Sequence, residues 1–187
     1  MDILFRDATM TTAILGFFAA AWFGWAQERP PAGRAKWWLG AGSAVGMILA
    51  VAGGVLSWLY WDSGSVLDEG SEMTLYLIIL GVEFGVALLG VLVLLAMGRR
   101  EYFAPWICLV VGVHFFPMAP VLDNVLLYPL AVWLTLWPFL AVRWANRRDL
   151  AYSFTTGVGA GPALLLAVLP AFLLAAQMAL AAVLFTI

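Results

Sequence analysis

The sequence has few of the residues that water-soluble proteins carry at their surfaces. Only 11% of its 187 residues are charged, 65% are hydrophobic, and the mean hydropathy is +1.00. A soluble domain is nearer about a quarter charged and about half apolar. So much apolar surface cannot be buried in a core of this size. The composition therefore excludes a soluble globular protein and a disordered chain.

Several residue types that carry chemistry occur once. A single cysteine, Cys108, excludes an internal disulfide and a cysteine metal cluster. A single histidine, His114, excludes bis-histidine haem, and the single lysine, Lys36, lies in a polar loop where a retinal Schiff base is not expected. Nine basic residues against eleven acidic ones leave no surplus for binding nucleic acid. We expect neither a cofactor nor a metal.

The long apolar stretches indicate a helical membrane protein. A transmembrane helix needs about 20 mostly apolar residues, and a membrane β-barrel would instead show alternating segments of about ten. Six stretches qualify, separated by short polar loops with Pro, Gly, Asp and Asn: 9–27, 37–61, 73–98, 103–120, 125–145 and 155–185. The sequence thus predicts an all-α, polytopic bundle of six transmembrane helices forming one domain over residues 1–187.

The charged loops predict an orientation. Eight of the nine basic residues fall in alternate loops: Arg29, Arg34, Lys36, Arg99, Arg100, Arg143, Arg147 and Arg148. The opposite side has Arg6 and is acidic: Asp2, Asp7, Asp62, Asp68, Glu69, Glu72 and Asp123. The positive-inside rule therefore predicts both termini outside, in a plasma membrane of the bacterial inner-membrane type. A cleaved signal peptide is the competing interpretation of the first span, but its leading segment is not basic.

Small residues recur at helical spacing in the first three spans. The second span has a ridge of four, which are Gly42, Gly46, Ala50 and Gly54. Shorter series occur in the first span (Gly16, Ala20, Gly24) and the third (Gly81, Gly85). Such ridges let helix backbones approach closely in lipid. We expect a tightly packed bundle with the second helix near its centre.

Two ionisable residues are predicted to lie deep in the membrane. Glu83 comes eleven residues after Glu72, or roughly 16 Å from the outer surface, and His114 comes ten residues after Ala104, or roughly 15 Å from the inner one. They lie on successive antiparallel helices and can meet. The pair predicts a proton- or cation-responsive site that shares one proton, and the alternative is a polar clasp between the two helices.

Other polar and aromatic residues extend this hypothesis. Tyr76, Asp123 and, less directly, Gln177 could line a crevice open to the outside, although Asp123 also suits an ordinary turn and Gln177 an interhelical hydrogen bond. Trp133 and Trp137 could wall a ligand pocket, although packing is the simpler interpretation.

Arg147 and Arg148 precede Gly157-x-Gly159-x-Gly161, a run that could bind a lipid phosphate at a helix start. The positive-inside rule already accounts for these arginines.

Three function classes remain open. The first is a small transporter or channel in which Glu83 and His114 couple protons or cations. The second is a non-catalytic membrane subunit, or a protein that binds a lipid or small ligand, alone, as a homo-oligomer or with a membrane-protein partner. The third is an intramembrane lipid-modifying enzyme, which is the weakest class. No serine lies at the depth of His114, no zinc-protease pattern occurs, and we find one deep acid instead of the two of an aspartyl site.

Overall fold

Long α-helices form almost all of the computed structural model, which describes residues 4–68 and 70–185. Six helices follow one another: α1 Phe5–Ala26, α2 Ala35–Leu59, α3 Gly70–Ala96, α4 Phe103–Val121, α5 Leu127–Arg148 and α6 Tyr152–Phe185. No strand occurs in the described residues, so the all-helical prediction is confirmed. Asp2 and Glu69, which contributed to the predicted orientation, lie outside the described residues.

Five helices are long and apolar enough to cross a membrane. They are α1, α2, α3, α4 with the short turn before it, and α6. Helix α5 is 22 residues long, but its three arginines, together with tryptophan, tyrosine and proline, lower its hydropathy. The described fold is therefore a membrane-compatible helical bundle, as an integral membrane protein requires.

Turn residues end the helices where the sequence places them. Helix α1 stops before the Pro30–Pro31 pair, because consecutive prolines cannot continue a helix. After α3, Gly98 has a φ of 69°, which a residue without a Cβ adopts at low cost. Helix α5 ends at Asp149 in the left-handed conformation. The resulting loops are short, so helices adjacent in sequence can lie antiparallel.

The centre of the bundle is formed by α1, α4, α5 and α6. Helix α1 packs against α2 on one side and α6 on the other, while α5 packs against α4 and α6. Among the side chains that form the common core are Leu15, Trp22, Cys108, Leu134, Leu164 and Val168. Helix α3 packs mainly against α4, and none of its residues is buried.

The prediction that the second helix lies near the centre is wrong. Helix α2 packs closely, but chiefly against α1, and most of its surface is exposed. A Cβ added at Gly46 would lie 2.7 Å from the Gly16 carbonyl oxygen, and one added at Gly53 would lie 2.6 Å from the Ala13 nitrogen. These two glycines are seven residues apart, or two helical turns, so both face the same neighbour. Of the predicted ridge, Gly46 therefore makes close contact with α1, whereas a Cβ added at Gly54 would have no described neighbour within 4 Å.

The glycines of α3 do not form an internal packing ridge. Among the described residues, nothing lies within 4 Å of a Cβ added at Gly81 or Gly85. Gly90, by contrast, lies beneath Trp106 of α4, whose indole nitrogen donates to the Ala87 carbonyl over 3.2 Å. The C-terminal half of α3 is therefore attached to α4 through this tryptophan.

Candidate functional site

Glu83 and His114 lie close together across the α3–α4 contact. Glu83 is the middle residue of α3, and its Oε1 atom is 3.4 Å from Nδ1 of His114. Both side chains are largely buried, with exposed fractions of 12% and 11%. The helix register therefore brings together the two deep ionisable groups, although their function is a separate question.

The His114 imidazole donates its Nδ1 hydrogen to a backbone carbonyl instead of to Glu83. Nδ1 of His114 is 2.7 Å from the backbone oxygen of Val111, one turn earlier in α4. A carbonyl oxygen only accepts, so Nδ1 must carry a hydrogen and donate it there. The Glu83 Oε1 atom, at 3.4 Å from Nδ1, can accept only a weak hydrogen bond from the same N–H group. The pair is therefore a poor clasp, and the carboxyl group can accept another partner.

An apolar cavity of about 380 Å³ opens beside this pair, between α3 and α4. Its walls are aliphatic and aromatic except for Glu83 and His114, and they include Val82, Val86, Trp106 and Val113. The side chains of Val82 and Val113 are at least half exposed, at 60% and 50%. The cavity therefore lies at the flank of the bundle, where lipid tails would surround it.

A second cavity, of about 210 Å³, also has His114 in its lining. It lies among α1, α3, α4 and the start of α5, and its mouth is polar, with Arg6, Asp7, Asp68 and Asn124 in its lining. His114 lines both cavities. One imidazole therefore forms part of the wall of both the second cavity, called the vestibule below, and the apolar pocket.

Charged groups order the mouth of the second cavity. Arg6 forms an ion pair with Asp68, donates to the Trp61 carbonyl over 2.8 Å and lies 4.8 Å from the Trp61 ring centroid. Asp7 accepts hydrogen bonds from the Ser65 hydroxyl at 2.5 Å and the Val66 amide at 2.9 Å. The loop between α2 and α3 is thereby held against the first turn of α1.

Sequence reasoning did not single out these mouth residues. A usable signal existed, since Arg6 is the one basic residue on the acidic side of the predicted topology. An arginine among acids is most simply explained by pairing with one of them.

The other residues predicted for the crevice are only partly brought together. Tyr76 lines the second cavity with His114. Asp123 is at the C-terminal end of α4 with a φ of 44°, and it lines neither cavity, whereas its neighbour Asn124 lines the second. Gln177 is exposed on α6 and also lines neither. The left-handed turn at Asp123 fits the structural interpretation of that residue.

Trp133 and Trp137 pack on α6 and also line a flank cavity of about 510 Å³. Their rings stack with centroids 5.1 Å apart. The Trp133 indole donates to the Gly159 carbonyl at 3.1 Å, and that of Trp137 donates to the Thr155 and Thr156 carbonyls at 3.1 and 3.0 Å. The hydrogen bonds of these two indoles therefore hold α5 against α6.

The glycine run near Arg147 and Arg148 lies inside a helix. Helix α6 begins at Tyr152, and added Cβ atoms at Gly157 and Gly159 would collide with the Trp22 carbonyl oxygen and the Trp137 ring, at 2.5 and 1.9 Å. The glycines therefore serve helix packing. Both arginines are exposed in the last turn of α5, where they suit the helix dipole.

The described residues restrict the available chemistry. They contain no group of three or more His, Cys, Asp and Glu side chains that could hold a metal ion. Cys108 is buried, and its thiol lies 3.5 Å from the Leu134 carbonyl. What the site offers is one carboxyl group and one imidazole, which can exchange protons and bind a polar or cationic group.

Comparisons with protein-family models, with curated proteins and with solved structures find no match to this chain. A function therefore has to be argued from the site itself.

Proposed function

We propose that the chain is a six-span integral membrane protein with both ends outside, in a plasma membrane of the bacterial inner-membrane type. The basic residues of alternate loops support this orientation. Helix α5 supports the sixth span, because it packs between α4 and α6 and has no charged residue before Arg143. Its length of 22 residues is enough to cross the hydrocarbon layer.

We further propose that the protein is a small transporter or channel in which Glu83 and His114 carry a proton or couple it to a cation. The observation that carries this proposal is the position of His114, which lines both the polar vestibule and the apolar pocket beside Glu83. A carboxyl group at this depth is costly to ionise unless it has a partner. Its presence in a stretch of α3 that is otherwise apolar from Leu77 to Ala96 favours function.

The vestibule supports a route for protons from the outer side. Its lining has several hydrogen-bonding groups, including Arg6, Ser65, Tyr76 and Asn124. A cavity of this size with hydrogen-bonding groups in its lining can hold water with two or more partners. A proton would pass from this water to the imidazole and then to Glu83, while the rest of the route would require the α3–α4 contact to rearrange.

Proton flux in liposomes tests the proposal. The purified protein is reconstituted around a pH-sensitive dye, and a potassium diffusion potential set by valinomycin drives protons inward. We expect faster acidification than in empty liposomes, and we expect Glu83→Gln to abolish the difference. Glu72→Gln is the matched control, since it makes the same change at the outer end of α3 and should preserve flux.

Two results would contradict the proposal. One is flux in the Glu83→Gln variant equal to that of the unaltered protein. The other is no flux above empty liposomes for folded protein at any driving force, pH or cation gradient.

The second candidate is a membrane subunit that holds a lipid or a partner. It is favoured by α3, which has no buried residue and packs mainly against α4. Native mass spectrometry of gently released protein separates the two candidates. A stoichiometric partner protein supports the subunit, and an unaccompanied chain supports the transporter.

A further inference from the structure

The apolar cavity between α3 and α4 has the properties of a binding site for a charged but lipid-soluble molecule. We propose that it binds a lipophilic organic monocation, whose charge pairs with the Glu83 carboxylate. This inference rests on the proposed function, since the same carboxyl group would hold either a proton or the cation. It adds the class of ligand.

The charge of the site favours a cation. Glu83 is the one acidic residue in the cavity lining. The titratable groups facing it are His114 from α4 and Tyr76 from α3 itself, and neither has a fixed positive charge. The Nδ1 hydrogen of His114 is already donated to Val111. An ionised Glu83 therefore lacks a strong partner, and a ligand cation would supply one.

The groups at the ends of α3 do not compensate this charge. The short turns at 66–68 and 100–102 also contact α3, and they bring Asp68, Arg100 and Glu101 to its outer and inner ends. Each end of α3 is thirteen residues from Glu83, or roughly 20 Å along the helix. A cation at Glu83 would therefore meet the carboxylate without competition from a nearby arginine.

A proline adds further negative character to the pocket. Pro117 has no backbone N–H, so it cannot satisfy the carbonyl of Val113 four residues earlier. Both residues line the cavity. Freed carbonyls within a membrane persist where they meet a cavity or a partner. The free carbonyl dipole and the carboxylate both disfavour an anion and favour a cation.

The walls and position of the cavity favour a lipid-soluble ligand. At about 380 Å³ it is within the range of small-molecule pockets, and aliphatic residues surround the acid. Trp106 supplies an aromatic ring to the lining, and aromatic faces attract cations. The exposed outer sides of Val82 and Val113 place the opening toward lipid tails. A ligand would therefore enter from the bilayer.

Paired probe ions of equal shape and opposite charge test the proposal. Tetraphenylphosphonium is titrated into protein in a neutral detergent by calorimetry, and tetraphenylborate serves as the matched anion. We expect saturable 1:1 binding of the cation alone. Glu83→Gln should weaken it about ten- to hundredfold, since one charge-assisted contact is lost. Glu72→Gln should bind normally.

A variant that leaves the charge intact tests the location. Val113→Trp fills the cavity from an exposed position of α4, so the fold should survive while cation binding falls. Near-ultraviolet circular dichroism and thermal unfolding confirm that each variant is folded.

Equal uptake of both ions, or cation binding unchanged in folded Glu83→Gln and Val113→Trp, would overturn the inference. The outcomes also separate the two proposals. Cation binding without proton flux would contradict the proposed transport function and leave the cation site standing. Proton flux without cation binding would contradict only the proposed class of ligand.

Discussion

The tryptophan–glycine contact between α5 and α6 yields a prediction whose size follows from the structure. A Cβ added at Gly159 would lie 1.9 Å from Cε2 of Trp137, far inside contact distance. The indole would have to leave its position, because the added Cβ is fixed to the backbone of α6. The substitution Gly159→Ala therefore displaces a large side chain by adding one methyl group.

The expected cost is the sum of the contacts that Trp137 loses. Its two hydrogen bonds to the Thr155 and Thr156 carbonyls are worth about 1 kcal/mol each. Its stacking on Trp133 adds about 0.5–1.5 kcal/mol. Alanine recovers up to about 1 kcal/mol through its better helix propensity. We expect the free energy of unfolding to fall by about 2 kcal/mol.

The assay is unfolding in mixed micelles, followed by tryptophan fluorescence and circular dichroism as the denaturing detergent is increased. Gly85→Ala is the matched control, since no described residue lies within 4 Å of a Cβ added there. That variant should be as stable as the unaltered protein or slightly more stable.

A double-mutant cycle with Trp137→Phe tests the cause. Phenylalanine lacks the indole nitrogen and its fused ring, so Gly159→Ala should cost less than about 1 kcal/mol in that background. Strictly additive costs, or a Gly159→Ala variant as stable as Gly85→Ala, would refute the reasoning.

Two further predictions concern other contacts of α1. Gly46→Leu should separate α1 from α2, because its Cβ would lie 2.7 Å from the Gly16 carbonyl oxygen. We expect the free energy of unfolding to fall by about 2–3 kcal/mol in the same assay. Gly54→Leu is the control and should be tolerated. A cost at position 54 equal to that at 46 would contradict this packing. Asp7→Ala should remove the hydrogen bonds of the Ser65 hydroxyl and the Val66 amide, so the amide hydrogen-exchange rate of residues 64–67 should rise about tenfold. Asp62→Ala, at an exposed position, should leave that rate unchanged. Unchanged exchange in Asp7→Ala would show that other contacts hold the loop.

The helices themselves could be predicted from the sequence. Continuous apolar runs and turn residues give six helices with ends within a few residues of those described, since span length and proline position are local properties. The proximity of Glu83 and His114 could also be predicted, because depth along two successive antiparallel helices is a matter of counting residues.

The arrangement of the helices could not be predicted in the same way. The ridge of α2 gave no information about its number of neighbours. The glycines at 157–161 suggested a phosphate site at a helix start, although Trp137 and α1 cover them inside α6. Trp106 of α4 lies over Gly90 of α3. This contact depends on how each helix is rotated about its own axis, and that rotation is not set by the local sequence.

The close contact between α1 and α6 has a consequence for how the protein is made. Helix α1 packs on one face against α2, which follows it directly in the sequence. Its other face packs against α6, which leaves the ribosome only after the whole chain between Ala26 and Tyr152. Until then Trp22 and Ala26, which lie beside Gly157 of α6, would be exposed to lipid or to the insertion machinery. Assembly is therefore expected to finish after translation of α6, and ribosome-stalled chains that lack α6 should be held by membrane chaperones or degraded.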